Sequence, residues 1–219
     1  MKIPFEQIRT NPEVNALIKS ADKTMESLGF TEHSYVHAGI VSNGAAEVLS
    51  AIGASEHEVE LAKIAGYMHD IGNMVNRHSH AQTGAILAYD LLRRLDMDID
   101  DAIAISGAIG NHDEGTGNAI SAISAALILA DKSDVRKSRV RNKTQDYDIH
   151  DRVNSAVEKS SLITDTDAGI ITVKMTIDTS VSSVMDYFEI FLARMIMCRK
   201  AADFFDMRLK IKANDMVLL

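Results

Sequence analysis

His69 and Asp70 stand side by side in the stretch Gly66-Tyr67-Met68-His69-Asp70-Ile71-Gly72-Asn73, with His37 upstream and His80, His112 and Asp131 downstream. Imidazole nitrogens and carboxylate oxygens together bind divalent first-row metals, and a His-Asp pair at a helix end can turn two ligands toward one ion, which core packing has no reason to require. His37, His69, Asp70 and Asp131 suffice for one octahedral ion with positions left for water, and His80 with His112 can hold a second ion if a carboxylate bridges. A single histidine is more often a surface or hydrogen-bonded core residue than a ligand. The combination carries the reading.

These residues need helices to bring them together. Proline is nearly absent, and from about residue 12 to residue 160 the apolar positions recur at helical spacing. Asn11-Pro12-Glu13 predicts a capped helix running to about Gly29, with Val14, Leu17, Ile18, Ala21 and Met25 buried. A second helix is expected from Ser34, with Ile40, Val41, Val48, Leu49 and Ile52 inward. Ser55-Glu56-His57-Glu58 is a capping box, opening a helix that delivers His69-Asp70 at its C-terminal end before Gly72 stops it. His80 begins the next helix, Ile99 to Gly110 forms another ending just before His112, and Ala119 to Asp131 forms the last of the set.

After about residue 160 the period changes to two. Ser161 to Thr164 and Ile170 to Asp178, separated by Asp167-Ala168-Gly169, read as a hairpin, and Leu209 to Lys212 as a further strand. Between them Ser180 to Asp206 is an amphipathic helix expected to place Val184, Phe188, Phe191, Leu192, Met195 and Ile196 on one face. The expected fold class is mainly α: a helical bundle over residues 1–160, and over 161–219 a small α+β unit of antiparallel strands and a long helix packed on it.

Composition narrows the function. With 23 basic against 31 acidic residues and a net charge of −8, the chain has no broad cationic face for extended nucleic acid. One cysteine, Cys198, forms no internal disulfide and reads as core, which suits the cytoplasm. Met1 to Gln7 forms no apolar run, and Ala125 to Ala130 is far too short for a membrane span, so neither export nor membrane insertion is expected. Against this acidic background Lys132 to Lys143 is a dense basic run that starts beside Asp131. Such runs are commonly solvated faces, yet cations beside a metal centre can orient a phosphate and neutralise its charge. Lys132, Arg136 and Arg139 are the candidates. His78, in the connection before His80, is either a substrate contact or a solvated loop residue. His33, one turn before His37, is an extra ligand, an outer partner or a cap. His57 and His150, without partners in the pattern, read as surface residues.

The order His37, His69-Asp70-Ile71-Gly72 and Asp131 within Ile128-Leu129-Ala130-Asp131-Lys132 resembles the HD-domain superfamily of metal-dependent phosphohydrolases, over about residues 30 to 135. The resemblance implies an HD-type helical bundle in which His37, His69, Asp70 and Asp131 bind a metal, with His80 and His112 adding a second and Asp70 bridging. The segments from His80 to Leu87 and from Asn111 to Gly115 are similar to those of the HD-GYP phosphodiesterase branch. That branch usually has two adjacent histidines, a lysine after His-Asp-Ile-Gly and a Gly-Tyr-Pro signature; this chain has Asn111 before His112, Asn73 after Gly72, and Gly117-Asn118-Ala119. Cyclic-dinucleotide hydrolysis is not supported.

The expected function is hydrolysis of a phosphomonoester or phosphodiester, a nucleotide or related small metabolite, with one or two divalent ions (Fe, Mn, Ni, Co, Zn or Mg). Lys132 and Arg136 would stabilise the phosphoryl oxygens, and Asp113 would serve as an outer base. Two alternatives stand beside it. Similar ligand sets hold two irons and activate oxygen in a few relatives of the superfamily. A regulatory module with a structural metal would instead use its sheet edge and the Phe188, Phe191, Met195 stripe for association, which leaves room for a homodimer.

Overall fold

The computed structural model describes residues 3–141 and 149–217. The last two residues of the Arg-Asn-Lys part of the basic run, Asn142 and Lys143, fall outside them, as does the side chain of His150. The helical part comprises α1 (Phe5–Arg9), α2 (Pro12–Ser27), α3 (Tyr35–Ala51), α4 (Glu56–Met68), α5 (His80–Arg94), α6 (Ile99–Gly110), α7 (Ala122–Ser133) and α8 (Ile149–Ser155). Strands β1 (Val157–Asp165) and β2 (Ile170–Ile177), helix α9 (Val184–Phe204), and strands β3 (Arg208–Ala213) and β4 (Met216–Val217) complete the chain. This is the mainly helical bundle with a small C-terminal strand and helix unit that the sequence implies.

Local chemistry accounts for the helix starts. The Asn11 side chain accepts from the amides of Glu13 and Val14 at 2.8 and 3.1 Å, and Val14, Ile18, Ala21 and Met25 repeat at turn spacing on the buried face. Ser34 caps α3, and Ser55 with Glu58 closes the capping box of α4. Ile40 was expected inward but is 40% exposed. It lies about 100° round the helix from Val41, outside the stripe of Val41, Ala45, Val48 and Leu49.

Gly72 does more than stop a helix. The chain turns there through a short 3-10 segment, Ile71–Met74, and the start of α5 packs against it. A β-carbon on Gly72 would run into the carbonyl oxygen of His80 and sit 2.5 Å from the Gly84 amide. Only the bare backbone allows the ends of α4 and α5 to approach this closely, and that approach holds His69-Asp70 beside His80. At Gly66 the same device seats α4 on α3, where a β-carbon would lie 2.7 Å from Ser42 Cα.

Helix α7 is central. Every residue from Ile123 to Ser133 is buried, so Asp131 and Lys132 at its end are delivered into the interior rather than to the surface. The helix starts at Ala122, later than the expected Ala119, because Ser121 and Ser124 form its capping box.

The sheet runs β1-β2-β3-β4. β1 with β2 and β3 with β4 are antiparallel as expected. β2 and β3 are instead parallel, because α9 crosses over the sheet and returns the chain in the same direction. Ile171, Val173, Met175 and Ile177 of β2 and Leu209, Ile211 and Ala213 of β3 turn inward at period two. In α9 the expected single face is corrected: Val184, Phe191 and Met195 are buried, but Leu192 is 55% and Ile196 37% exposed. The helix kinks at Phe191 (φ −110°, ψ 17°), and its buried positions run through Tyr187, Phe191, Met195, Cys198 and Ala202, one position round from Leu192 and Ile196. The division expected after residue 160 falls within β1, where Ser160 donates to the Ser133 carbonyl at 2.6 Å. The buried apolar residues of the helices and of the sheet belong to one contiguous cluster. Among the described residues no helix is long and apolar enough to cross a membrane.

Gly72→Ala is expected to lower stability by about 1–3 kcal/mol, the usual cost of forcing a group into filled space. Its denaturant midpoint should fall, whereas Gly169→Ala in the open β1–β2 turn should cost only the strain of its positive φ (63°).

Candidate metal centre

His37 comes from the first turn of α3, His69 and Asp70 from the end of α4, His80 from the start of α5, His112 from just beyond α6, and Asp131 from the last turn of α7. The structure brings all of these together. Ligand atoms within 4.8 Å of one another form three overlapping sets: His37, His69 and Asp70; His69, His112 and Asp131; and Asp70, His80 and His112. Asp70 divides its oxygens between the two sides. Its Oδ2 lies 3.7 Å from His37 Nε2 and 3.1 Å from His69 Nε2, and its Oδ1 lies 3.5 Å from His80 Nε2 and 3.8 Å from His112 Nε2. Asp131 Oδ1 lies 3.3 Å from His37 Nε2 and 3.6 Å from His69 Nε2.

The tautomers suit a cation. His69 Nδ1 donates to the Gly66 carbonyl at 2.8 Å, His80 Nδ1 to Arg77 O at 3.0 Å, and His112 Nδ1 to Ile109 O at 2.6 Å. His37 Nδ1 donates to Asp134 Oδ2 at 2.7 Å. With every Nδ1–H committed, each Nε2 is the atom left to face the centre, where a proton and a metal ion compete for it. The Nε2 atoms of His37 and His69 are buried without a hydrogen-bond partner. Those of His80 and His112 face each other at 3.1 Å, close enough for one cation to serve both rings. Orphaned buried ring nitrogens around two carboxylates fit a divalent ion held by nitrogen and oxygen donors.

Electrostatics agree. Burial opposes ionisation of Asp70, yet His69, His33 and His112 hold its carboxyl well below the usual range. Burial likewise opposes ionisation of Asp131, and Lys132, His37 and His69 overcome it. Burial disfavours the charged form of His69, but Asp70 and Asp131 outweigh it and raise the ring to about 10. Burial lowers His80 to about 4, with His112 and Arg77 adding to the effect, so that ring is neutral at pH 7.

Beside the centre is a cavity of about 410 Å³ whose lining includes Phe30, Arg77, Glu114, Lys132, Arg139 and Arg194. Lys132 Nζ lies 2.7 Å from Asp131 Oδ2 and 3.3 Å from Glu114 Oε2. Arg139 lines the cavity while donating to the carbonyls of Glu32 at 2.9 Å and Asp134 at 2.7 Å. Arg136 does not reach it: the guanidinium turns away to pair with Glu32 Oε2 and Asp134 Oδ1, each at 2.9 Å. His78 is exposed and outside the lining, because the loop directs its neighbour Arg77 inward instead. Asp113 is partly exposed, 3.9 Å from His80 Nε2. His33 is buried and lines the cavity, with Nε2 3.9 Å from Asp70 Oδ2. His57, read as a surface residue without partners, bonds Asp101 of α6 at 2.7 Å.

Glu114, Arg77 and Arg194 are cavity residues that sequence reasoning missed. Glu114 and Arg77 had a signal, lying within three residues of His112 and His80. Arg194 had none, since only the packing of α9 on α7 brings it to Glu114, where its Nε donates at 3.1 Å. Its guanidinium stacks 4.4 Å above the Phe191 ring at the kink. Burial opposes ionisation of Glu114, but Lys132 and Arg194 hold it down at about 2. The Cys198 thiol is fully buried, and burial pushes it up to about 12, so it remains protonated.

A proton on His69 and a metal ion compete for one lone pair. With the metal-free ring raised to about 10, it holds its proton at pH 7 and must release it when an ion binds, so apparent metal affinity rises with pH. Calorimetric titration with Mn(II) in buffers of different ionisation enthalpy should therefore show net proton release at pH 7, lost in His69→Ala. Binding without proton release in the native protein would contradict this.

Comparison with known proteins places these residues in a family. An uncharacterized protein of Methanocaldococcus jannaschii is 27% identical over 183 residues, covering 72% of this chain and 70% of its own. The crystal structure of a predicted HD superfamily hydrolase from an uncultured Thermotogales bacterium is similar at 27% identity, with a TM-score of 0.45, covering 57% of this chain and 67% of that one. The family model described as "HD domain" matches residues 33–144, from His33 through the end of the basic segment. That match takes in all six candidate ligands and more than half of the 219 residues, and the protein belongs to the HD domain family.

Proposed function

We propose that the protein is a metal-dependent phosphohydrolase acting on a phosphomonoester or phosphodiester of a small metabolite, a nucleotide or a related compound. The observation that carries this reading is the meeting of histidines whose Nε2 atoms converge on Asp70 with a cavity lined by Arg77, Lys132, Arg139 and Arg194. The division of Asp70 between His37 and His69 on one side and His80 and His112 on the other supports two ion positions.

His37, His69, Asp70 and Asp131 would hold one divalent ion, and Asp70, His80 and His112 the other; ions so held supply Lewis acidity and lower the pKa of water. The chain's own groups do the rest. Lys132 has its ammonium fixed by Asp131 and Glu114 and stays charged, because the two carboxylates outweigh its burial. From there it can neutralise charge developing on phosphoryl oxygens. Arg139, held by two backbone carbonyls, presents a preoriented guanidinium to the same cavity. Asp113, whose Oδ1 lies 3.9 Å from His80 Nε2, would accept a proton from the attacking water. The cationic lining favours this chemistry over oxygen activation by two irons, a reaction that does not of itself develop negative charge on a phosphoryl group.

Phosphate release from a panel of nucleotides and sugar phosphates with Mn, Co, Ni or Mg should be detectable for the native protein and fall to background in Asp70→Ala. Lys132→Ala should retain metal and lose about 10²- to 10³-fold in kcat, as expected for removing one preorganised charge partner. A metal-replete native protein inert on every phosphoester overturns the proposal.

A further inference from the structure

Arg77 is the cavity's odd cation. Lys132 and Arg194 pair with Glu114, and Arg139 is engaged by carbonyls and Asp134, whereas among the described residues no carboxylate forms an ion pair with Arg77. Its Nη1 instead donates to His80 Nε2 at 3.2 Å, and the Asn73 side-chain oxygen lies 3.4 Å from the same atom. Its guanidinium lies 5.8 Å from the centre of the Phe30 ring. The same residue fixes the tautomer of His80 from the other side, since its carbonyl accepts from His80 Nδ1 at 3.0 Å. Arg77 therefore turns the His80 lone pair toward the centre with its backbone and occupies that lone pair with its side chain.

A lone pair cannot serve a guanidinium and a metal ion at once. We infer that Arg77 caps His80 Nε2 until an ion enters the position of Asp70, His80 and His112, and that the guanidinium so released binds the anionic phosphoryl group of the substrate. This rests on the phosphohydrolase reading for its second half alone; the competition for His80 follows from the geometry. The chemistry is consistent. A guanidinium stays charged under all working conditions and matches two phosphoryl oxygens with paired donors. Arg77 already lines the cavity, so leaving His80 does not require the chain to move far. Asn73 belongs to the same device: its Nδ2 donates to Asp70 Oδ1 at 2.8 Å while its oxygen faces Arg77, so the carboxylate facing the second position and the capping arginine are held by one amide. The turn into α5 follows Arg77 directly, with Ser79 at positive φ (59°).

The test reads metal and anion separately. Titration of the native protein and of Arg77→Gln with Mn(II), without substrate, should show the second ion binding about tenfold tighter in the variant, the size of effect that neighbouring hydrogen-bond partners have on metal affinity. Inorganic phosphate titrated into the fully loaded proteins should bind about tenfold more weakly to the variant, from the loss of a charge-assisted hydrogen bond. Equal second-ion affinity in the two proteins overturns the cap. One ion in the native protein at saturation but two in the variant overturns the release, because the guanidinium then keeps the position. Equal phosphate affinity, with phosphoester hydrolysis intact in the native protein, overturns the anion role alone; a loaded native protein that neither binds phosphate nor hydrolyses any phosphoester overturns that role together with the phosphohydrolase reading, and the Mn(II) arm still decides the cap.

Discussion

Two ionised carboxylates, Asp70 and Asp131, sit in the middle of a helical bundle with side chains only 13% and 11% exposed. Taking such charges from water costs several kcal/mol each unless partners surround them. Almost everything unusual about this molecule answers that constraint. The ring of His37, His69, His80 and His112 converges on them with committed Nδ1 atoms, Lys132 is buried against Asp131, Glu114 pairs with Lys132, and Arg194 pairs with Glu114 in turn. The arrangement gathers two carboxylates and ring nitrogens without hydrogen-bond partners at its centre, which a bound cation would satisfy.

The scaffold is shaped to make that concentration of charge possible. α7 is buried along its length and can carry Asp131 inward only because α3, α4, α6 and α9 surround it. α4 seats against α3 at Gly66 and meets α5 at Gly72, so two close backbone approaches fix the spacing of His37, His69-Asp70 and His80. Ordering these side chains in advance, through Nδ1 bonds to Gly66, Arg77, Ile109 and Asp134, removes most of the rotational freedom a ligand would otherwise lose.

The C-terminal sheet and α9 are joined to this centre physically. The kink at Phe191 lets its ring support Arg194, and Arg194 reaches Glu114 at the far end of the relay that begins at Asp131. A disturbance in α9 thus has a continuous path of ion pairs to a candidate ligand, whereas the outward apolar side chains Leu192 and Ile196 take no part in it.

Much of the fold was legible in local chemistry: Asn11, Ser34 and Ser55 announce helix starts, period-two alternation marks β2, and the spacing of His37, His69-Asp70 and Asp131 names the candidate ligands. Such signals are carried by neighbours in the chain, so they survive without a structure. Which cations face the cavity was not legible, because it depends on the direction a side chain takes after distant elements pack. The basic run divides on this point: Lys132 and Arg139 turn in, while Arg136 is drawn away by Glu32, over a hundred residues earlier. Arg77 rather than His78 faces the centre because the turn into α5 decides it, and Arg194 arrives only through the packing of α9 on α7. The chain's order of residues determined the helices and the donor types; tertiary packing decided which charges meet, since electrostatic partners are set by distance in space and not by separation along the chain.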